Sequence, residues 1–504
     1  MPPLQRPDRA QTVMLPRREV AVAGEAEVLV VGGGPAGLGA AVGAASAGAD
    51  VVLVERYGFL GGNATAALVM PLMSFHNEAR SASPGDVEAE ARLLPRDHGP
   101  GAPVVAGVLE LFLRELYEAG GAIPPSQATG YTVPFDPEQY KLVALDLLDH
   151  AGVRFLLHAL ASGVVGDSEP EGVVFETKSG PLVIRAQTIV DCTGDGDVAA
   201  AAGARFDIGR DEDGLAQPMT LMFQMAGFDR GPFAAYVHQH PHEWRGVLGL
   251  WDLIREAQEA GELALPREDV LLFATPRDHE VTVNSTRVTG LLGTDAWQLS
   301  EAEWIARRQM RQIARFLRTR VPGFADSYIA QSGTTIGVRE TRRIAGEYQL
   351  TGEDVIACRQ FRDAIARGSY PIDIHDPKGK GTVVKRLPAG GAYDIPLRCL
   401  VPQMVERVLL AGRCISGTHE AHSSYRVTPI AMATGHAAGI CAALAAATNQ
   451  QPRNVGHHAV QAELIRQGAA LRPEIVERAQ LADPLASGLR QPKRPSPERA
   501  RPGV

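Results

Sequence analysis

The chain has 504 residues, 45% hydrophobic and 21% charged, with a formal net charge of −8. That is apolar material for a large core and two or three domains, and the acidic balance excludes the basic footprint of nucleic-acid binding. Five scattered cysteines (Cys192, Cys358, Cys399, Cys414, Cys441) form no C-x-x-C. This argues against a disulfide-redox pair or a cysteine-held metal or iron–sulfur centre, and makes a reducing cytoplasm the expected compartment.

Residues 1–24 read as a loose arm without the apolar core of a signal peptide. The strongest local pattern follows, EVLVVGGGPAGLGAAVGAASAGADVVLVE. It predicts a strand over Glu27–Val31, a Gly-rich turn, an Ala-rich helix to Ala47 with Gly48 beyond its end, and a strand over Val51–Val54. Gly32, Gly34 and Gly37 satisfy G-x-G-x-x-G, and the second strand ends on Glu55, 18 positions after Gly37. In such a unit the first glycine allows the tight turn, the second lets backbone approach a pyrophosphate, and the third lets helix pack on strand. The helix N-terminus offers free N–H groups to phosphate, and the acid accepts from ribose hydroxyls and repels a 2′-phosphate. The segment therefore predicts a dinucleotide site that disfavours NADP.

RYGFLGGNATAALVM comes next, where Gly61 and Gly62 allow close backbone approach and Asn63 and Thr65 can hydrogen-bond a cofactor. Residues 81–134 read as an insertion or lid, being polar and rich in Pro and Gly over 80–103. TIVDCTGDGDVAAAAG predicts a strand over Thr188–Asp191 entering Gly194, Asp195, Gly196 and a second Ala-rich helix. His238, His240 and His242 alternate in YVHQHPHEW, but Pro241 places them in an exposed loop, so no metal site is expected. EAEWIARRQMRQIARFLRTR predicts an amphipathic helix with Trp304, Ile305, Ile313, Phe316 and Leu317 inward. VNSTRVTG and GVRETRRIAG supply Arg287, Arg339 and Arg342, with Asn284 as a weaker companion. With Arg426 these can line a site for an anionic substrate, since Arg suits bidentate carboxylate recognition. An ion-paired or solvated face is the competing reading.

Last comes VERVLLAGRCISGTHEAHSSYRVTPIAMATGHAAGICAALAAA. Val408–Leu410 is a buried strand entering Gly412, Thr428 an N-cap and Pro429 a first helical residue. The apolar stretch Pro429–Ala447 reads as a tightly packed buried helix rather than a membrane span. Residues beyond about 482 read as a Pro- and Arg-rich disordered tail.

Taken in this order, GGGPAGLGAA with Glu55, FLGGNAT, DCTGDGDVA, VNSTRVTG, GVRETRRIAG and GRCISGTHEAHSSYRVTPIAMATGHAAG resemble FAD-dependent oxidoreductases of glutathione-reductase type. More narrowly, they resemble a bacterial family distantly related to the flavin subunit of heterodisulfide reductase. The resemblance implies an α/β fold with a Rossmann-like FAD-binding domain and a second, discontinuous α+β substrate domain. FAD would be held by Gly32, Gly34, Pro35, Ala36, Gly37 and Glu55 at its ADP half, then by Arg56, Gly62, Asn63 and Thr65 towards the flavin. Gly194 and Asp195 would lie near the pyrophosphate or adenosine, Gly412 and Arg413 at the ribityl chain, and Pro429 and Ile430 at the flavin. Arg413 stands where many such flavoproteins place an Asp.

The FAD-binding domain is expected from 25–80, 135–225 and 390–450, a substrate or cap domain from 226–389, and a peripheral helix and tail from 451–504. The implied activity is dehydrogenation of a small alcohol or amine at the flavin; a flavin monooxygenase or an electron-transfer subunit are the alternatives. His422, slightly ahead of His419, is the candidate base, with Arg426 beside it, because a near-neutral imidazole suits proton abstraction. Arg287 and Arg339 are the candidate substrate residues. The expected partner is a small molecule, with no nucleic acid and no membrane; self-association is left open.

Overall fold

The computed structural model describes residues 3–7, 12–15, 19–77, 93, 101–126, 131–379 and 381–481. Much of the expected 81–134 insertion, parts of the N-terminal arm and the tail from 482 lie outside them.

Two sheets organise the chain. The first contains β1 (Ala21–Val31), β2 (Val51–Val54), β3 (Arg154–Leu156), β4 (Ala159–Val165), β5 (Gly172–Thr177) and β6 (Gly180–Asp191), in the order β3-β2-β1-β6-β5-β4. β3, β2, β1 and β6 run parallel. β6 is long enough to serve two neighbours on its other side. Its first half pairs antiparallel with β5, and Ile189–Asp191 pairs parallel with the strand Val408–Leu410. Runs such as Val28–Val31 and Val51–Val54 are apolar throughout because the parallel part is buried on both faces. The second sheet draws its strands from 223–332 and carries a separate apolar core around Phe223, Phe233, Trp244 and Phe324. Residues 344–401 contribute Ile344, Leu350, Ile365 and Ile395 to the core of the first sheet instead.

The amphipathic pattern after residue 300 forms the helix Ala296–Arg320, with Ile313, Phe316 and Leu317 buried. Trp304 departs from the expectation: it is exposed, and Arg308 lies over its ring. A ring that sheds only part of its surface can sit at the helix edge beneath a cation.

The deepest contact in the first core is between α1 (Pro35–Ser46) and the helix Thr428–Thr448. Ala36, Gly39, Ala40, Gly435 and Gly439 make the closest approaches. A Cβ on Gly435 would lie 1.9 Å from the Ala36 carbonyl oxygen, and one on Gly439 2.0 Å from that of Ala40. From the other side, a Cβ on Gly39 would meet the Met432 carbonyl oxygen at 2.2 Å. The two backbones touch, and any side chain would push them apart. The helix Thr428–Thr448 is the described segment long and apolar enough to cross a membrane, but most of it is enclosed by protein, as the core reading expected.

Gly439→Ala is therefore expected to cost at least about 1–3 kcal/mol, since backbone must move to admit one methyl. Gly24→Ala, where nothing lies within 4 Å of the new carbon, should be near neutral. Urea unfolding of the two variants checks this; equal midpoints would remove the helix contact as a constraint.

Candidate active site

The Gly-rich turn behaves as its spacing predicts. Gly32 has φ +106° and its Cβ would fall 2.4 Å from the Cys192 carbonyl oxygen, so neither the conformation nor the space admits a side chain. Gly32, Gly34, Pro35 and Ala36 line a cleft that runs past Glu55 and Arg56 to Gly194, Gly412 and Arg413. Gly37 lies behind this wall, where a Cβ would strike the Gly32 carbonyl oxygen. Its role is packing, and it does not face the cleft.

Glu55 ties the unit together. Its Oε2 accepts from the Gly33 N–H at 2.6 Å and its Oε1 from the Tyr57 N–H at 2.9 Å. Burial raises its pKa, against the pull of these two N–H groups. The carboxylate thus fixes the turn as well as standing at the cleft wall.

The cleft opens into a cavity of about 810 Å³. Asn63, Arg413, Arg426 and Thr428 border both spaces. Asn63 begins the short helix α2 (Asn63–Ala66) and donates to the Val338 carbonyl at 3.1 Å, which joins the turn to the 333–341 loop. Thr428 is the first helical residue rather than the cap; Val427 holds the N-cap position and offers no side-chain acceptor. The first-turn N–H groups therefore face the junction without a protein cap, a setting that favours negative charge.

Arg413, expected at the ribityl chain, borders both the cleft and the cavity. Its Nη2 donates to Asp195 Oδ1 at 3.0 Å and lies against Gly194, while Nη1 is buried without a partner. Asp195 also accepts from the Thr341 hydroxyl at 2.7 Å. Its carboxylate is spent on holding Arg413 and does not border the cleft; Asp197 does. Arg426 Nε is likewise buried and unpartnered. Two unsatisfied Arg nitrogens beside the junction fit an extended anionic cofactor with acceptor groups there.

Two expected cofactor contacts are not made by the side chains named for them. The Thr65 hydroxyl donates to the Leu60 carbonyl at 2.7 Å and is enclosed, because the 60–65 turn uses it to satisfy its own backbone. Ile430 is fully buried within the core, and Pro429 borders the cavity in its stead.

The candidate histidines need the larger correction. They lie on the helix His419–Tyr425, not on an open loop, and neither borders the cavity or the cleft. His419 Nδ1 is 2.9 Å from Glu340 Oε1, and Glu340 also pairs with Arg343. His422 is fully enclosed against Tyr425, with both ring nitrogens unpartnered. Burial, followed by the charge of Arg343, drives its pKa well below the usual imidazole value. The short run of polar residues that suggested a reactive loop is the buried face of a helix.

The arginines divide. Arg342 is outside the cavity, bonded to Asp197 at 2.8 Å. Arg287, Arg339 and Arg426 all border it. Arg287 is held by its backbone, whose N–H and carbonyl are both bonded to the Gln309 amide at 2.8 and 2.9 Å. Its guanidinium donates to the carbonyls of Gly379 and Gly381 and to His375 Nδ1 at 3.1 Å. Arg339 donates to the Pro218 carbonyl and the Thr220 hydroxyl, both at 2.6 Å. Arg426 faces Asp373 Oδ2 at 3.6 Å.

Asp373, His375 and Tyr370 border the cavity and were not singled out from the sequence. The available signal was the alternation in IDIH over 372–375, which puts Asp373 and His375 on one face of a strand.

The model of a family described as "FAD dependent oxidoreductase" matches residues 27–464, and the chain belongs to that family. No curated protein matches the sequence. Among solved structures, a geranylgeranyl bacteriochlorophyll reductase-like protein from Thermoplasma acidophilum is 12% identical, covering 91% of this chain and 83% of that one at a TM-score of 0.41. The p-nitrophenol 4-monooxygenase PnpA from Pseudomonas putida DLL-E4 is 12% identical, covering 92% and 84% at 0.38. The myxobacterial chondrochloren halogenase CndH is 14% identical, covering 91% and 78% at 0.41.

Glu55→Ala should loosen the Gly33 and Tyr57 backbone and weaken FAD binding by about tenfold or more, the loss of charge-assisted hydrogen bonds. Fluorescence titration of the apoprotein with FAD measures it; unchanged affinity would separate Glu55 from the cofactor.

Proposed function

We propose that this FAD-dependent oxidoreductase oxidises a small organic anion held in the Arg287–Arg339 cavity, removing hydride from an alcohol or amine carbon. One observation carries the reading. Among the described residues, neither Arg287 nor Arg339 has a carboxylate within ion-pair distance, yet both face the same cavity. The other cavity arginines differ: Arg267 is paired with Asp269 at 2.8 Å, Arg413 with Asp195 and Arg426 with Asp373. Burial, then the neighbouring charge of Arg267, lowers the Arg287 pKa to about 10. Burial, then Arg426, lowers that of Arg339 to about 9. Two partly desolvated cations kept only by carbonyls, a hydroxyl and an imidazole are a standing cost that a bound carboxylate removes.

The flavin, when bound, supplies the two-electron acceptor. The chain does the rest. Arg287 and Arg339 come from separate loops and can fix a carboxylate by two arms, which orients the carbon beside it. Met70, Met73, Met222 and Phe273 form an apolar wall that limits water. The uncapped N-terminus of the helix Thr428–Thr448 favours negative charge at the junction.

A flavin monooxygenase acting on the same anion would use the same pocket and differ in needing a nicotinamide donor. Solved structures with monooxygenase and halogenase titles resemble this chain too weakly to choose between the two.

The FAD-loaded protein should be mixed anaerobically with a panel of 2-hydroxy acids, amino acids and N-alkyl amino acids, and separately with NADH and NADPH. Bleaching by an acid alone supports hydride removal. Bleaching by a nicotinamide alone replaces it with the monooxygenase. Pyruvate binding, followed by the flavin difference spectrum, should weaken about 10- to 100-fold in Arg287→Gln and in Arg339→Gln, as expected for charged hydrogen bonds. Unaltered binding in both would remove the anion site.

A further inference from the structure

The antiparallel ribbon of Ile372–His375 and Thr382–Lys385 forms one side of the cavity. His375 is held at both ring nitrogens. Nδ1 lies 3.1 Å from Arg287 Nη2 and 3.3 Å from the Thr382 hydroxyl. A guanidinium only donates, so Nδ1 carries the lone pair and the ring proton sits on Nε2. Nε2 in turn faces Asp373 Oδ2 at 3.5 Å. That carboxylate also accepts from the Tyr370 hydroxyl at 2.9 Å and faces Arg426. The arrangement is a neutral imidazole oriented by an acid, with its basic nitrogen covered by the very arginine assigned to the substrate.

We propose that His375 is the catalytic base, taking the substrate's O–H or N–H proton at Nδ1 once the substrate carboxylate draws Arg287 away from that nitrogen. The inference rests on the anion-site reading above. In the reaction the substrate C–H and O–H (or N–H) bonds break and a C=O (or C=N) bond forms. The hydrogen on carbon leaves with its electron pair to the flavin, which is the oxidant, and the other proton goes to Nδ1. The competing groups on the wall are worse placed. Asp373 is surrounded by donors: burial would raise its pKa, but His375, Arg426 and Tyr370 together hold it below the usual carboxylate range. The Tyr370 hydroxyl is already a donor, and burial raises its pKa, with Asp373 adding to the effect. Asp269 is paired with Arg267, and Lys378 lies near Glu212 and Asp213 at 3.8 and 3.5 Å.

The charges that face His375 decide when it is basic. Asp373 lies on its own strand, Arg287, Arg339 and Arg426 on three other segments, and Asp376 and Lys378 in the adjoining turn. Burial first, then Arg339, lowers the His375 pKa to about 3, so the ring is neutral in the free protein at any ordinary pH. A carboxylate between Arg287 and Arg339 cancels part of that positive field and uncovers Nδ1. Base strength therefore rises on substrate binding, and the base is idle without it.

Three measurements on FAD-loaded protein test this. His375→Asn keeps an acceptor for Arg287 but loses the base. Flavin reduction by whichever acid reduces the wild type should fall about 10²- to 10⁴-fold, the usual range for a general base, and its low-pH limb should disappear. Pyruvate affinity should stay within about threefold, because charged recognition remains. Calorimetry of pyruvate binding at pH 5, in two buffers of different ionisation enthalpy, should show proton uptake in the wild type and none in His375→Asn. Reduction of the flavin by His375→Asn at a near wild-type rate, or pyruvate binding without proton uptake in the wild type, overturns the base and leaves the anion site intact. Absence of pyruvate binding in the wild type overturns both.

Discussion

The contact between α1 and the helix Thr428–Thr448 is the constraint on which the site depends. Two backbones in van der Waals contact cannot rotate or slide without a clash, because the nearest approaches are to carbonyl oxygens and not to flexible side chains. The N-terminus of α1 is thereby fixed at the Gly34 end of the cleft, and that of the later helix at the cavity junction. Both offer unpaired N–H groups to one continuous channel. Ala and Gly are required along this line for reasons of distance, which explains why the helix looks membrane-like by composition while serving as a core element. Residues almost 400 positions apart in sequence are placed by it on either side of one ligand path.

Within that frame the cavity's character comes from how its arginines are compensated. Arg413 is oriented at the junction by Asp195, which is itself steadied by Thr341. Arg267 and Arg426 have their own acids. Arg287 and Arg339 do not, and the fold spends effort on keeping them so. Gln309 clamps the backbone of Arg287, and Pro218 and Thr220 hold the guanidinium of Arg339 with uncharged acceptors. Neutral acceptors orient a guanidinium without cancelling it. Pairing each with an acid would have been a more favourable arrangement in isolation, and would have left the pocket unable to attract an anion.

The parts legible in the sequence were those whose cause is local. The β1–α1–β2 unit depends on spacing along 30 residues, and its turn, helix, second strand and acid fall where the pattern placed them, while β1 starts at Ala21, inside the stretch expected to be a loose arm. The late strand and helix were legible for the same reason. What stayed hidden depends on which way a side chain faces after folding. Thr65 can satisfy either a cofactor or its own turn, and only the closed loop shows that Leu60 takes the hydroxyl. Asp195 is adjacent to a cleft residue yet turned towards Arg413. Trp304 falls on the helix but not in the core stripe.

His419 and His422 carry this point furthest. A dense cluster of polar residues just before a helix looks reactive, because loops before helices usually face solvent. Here the segment is itself helical, and several of its polar groups are taken up internally, His419 Nδ1 by Glu340, Ser424 by Tyr393 and the Tyr370 carbonyl, Tyr425 by the Ile415 carbonyl, while His422 is enclosed with neither ring nitrogen bonded. Only Arg426, at the end of that helix, reaches the cavity. The ribbon at 372–385 had the weaker sequence signal, two polar residues alternating in a four-residue strand, and it supplies the wall. A strand places i and i+2 side chains on one face at fixed separation, so Asp373 can orient His375 without any intermediary. The cleft and the proposed substrate wall are thus built by elements of different kinds. The helices at the cleft are locked backbone to backbone, while the ribbon faces the cavity through side chains whose replacement need not disturb that lock.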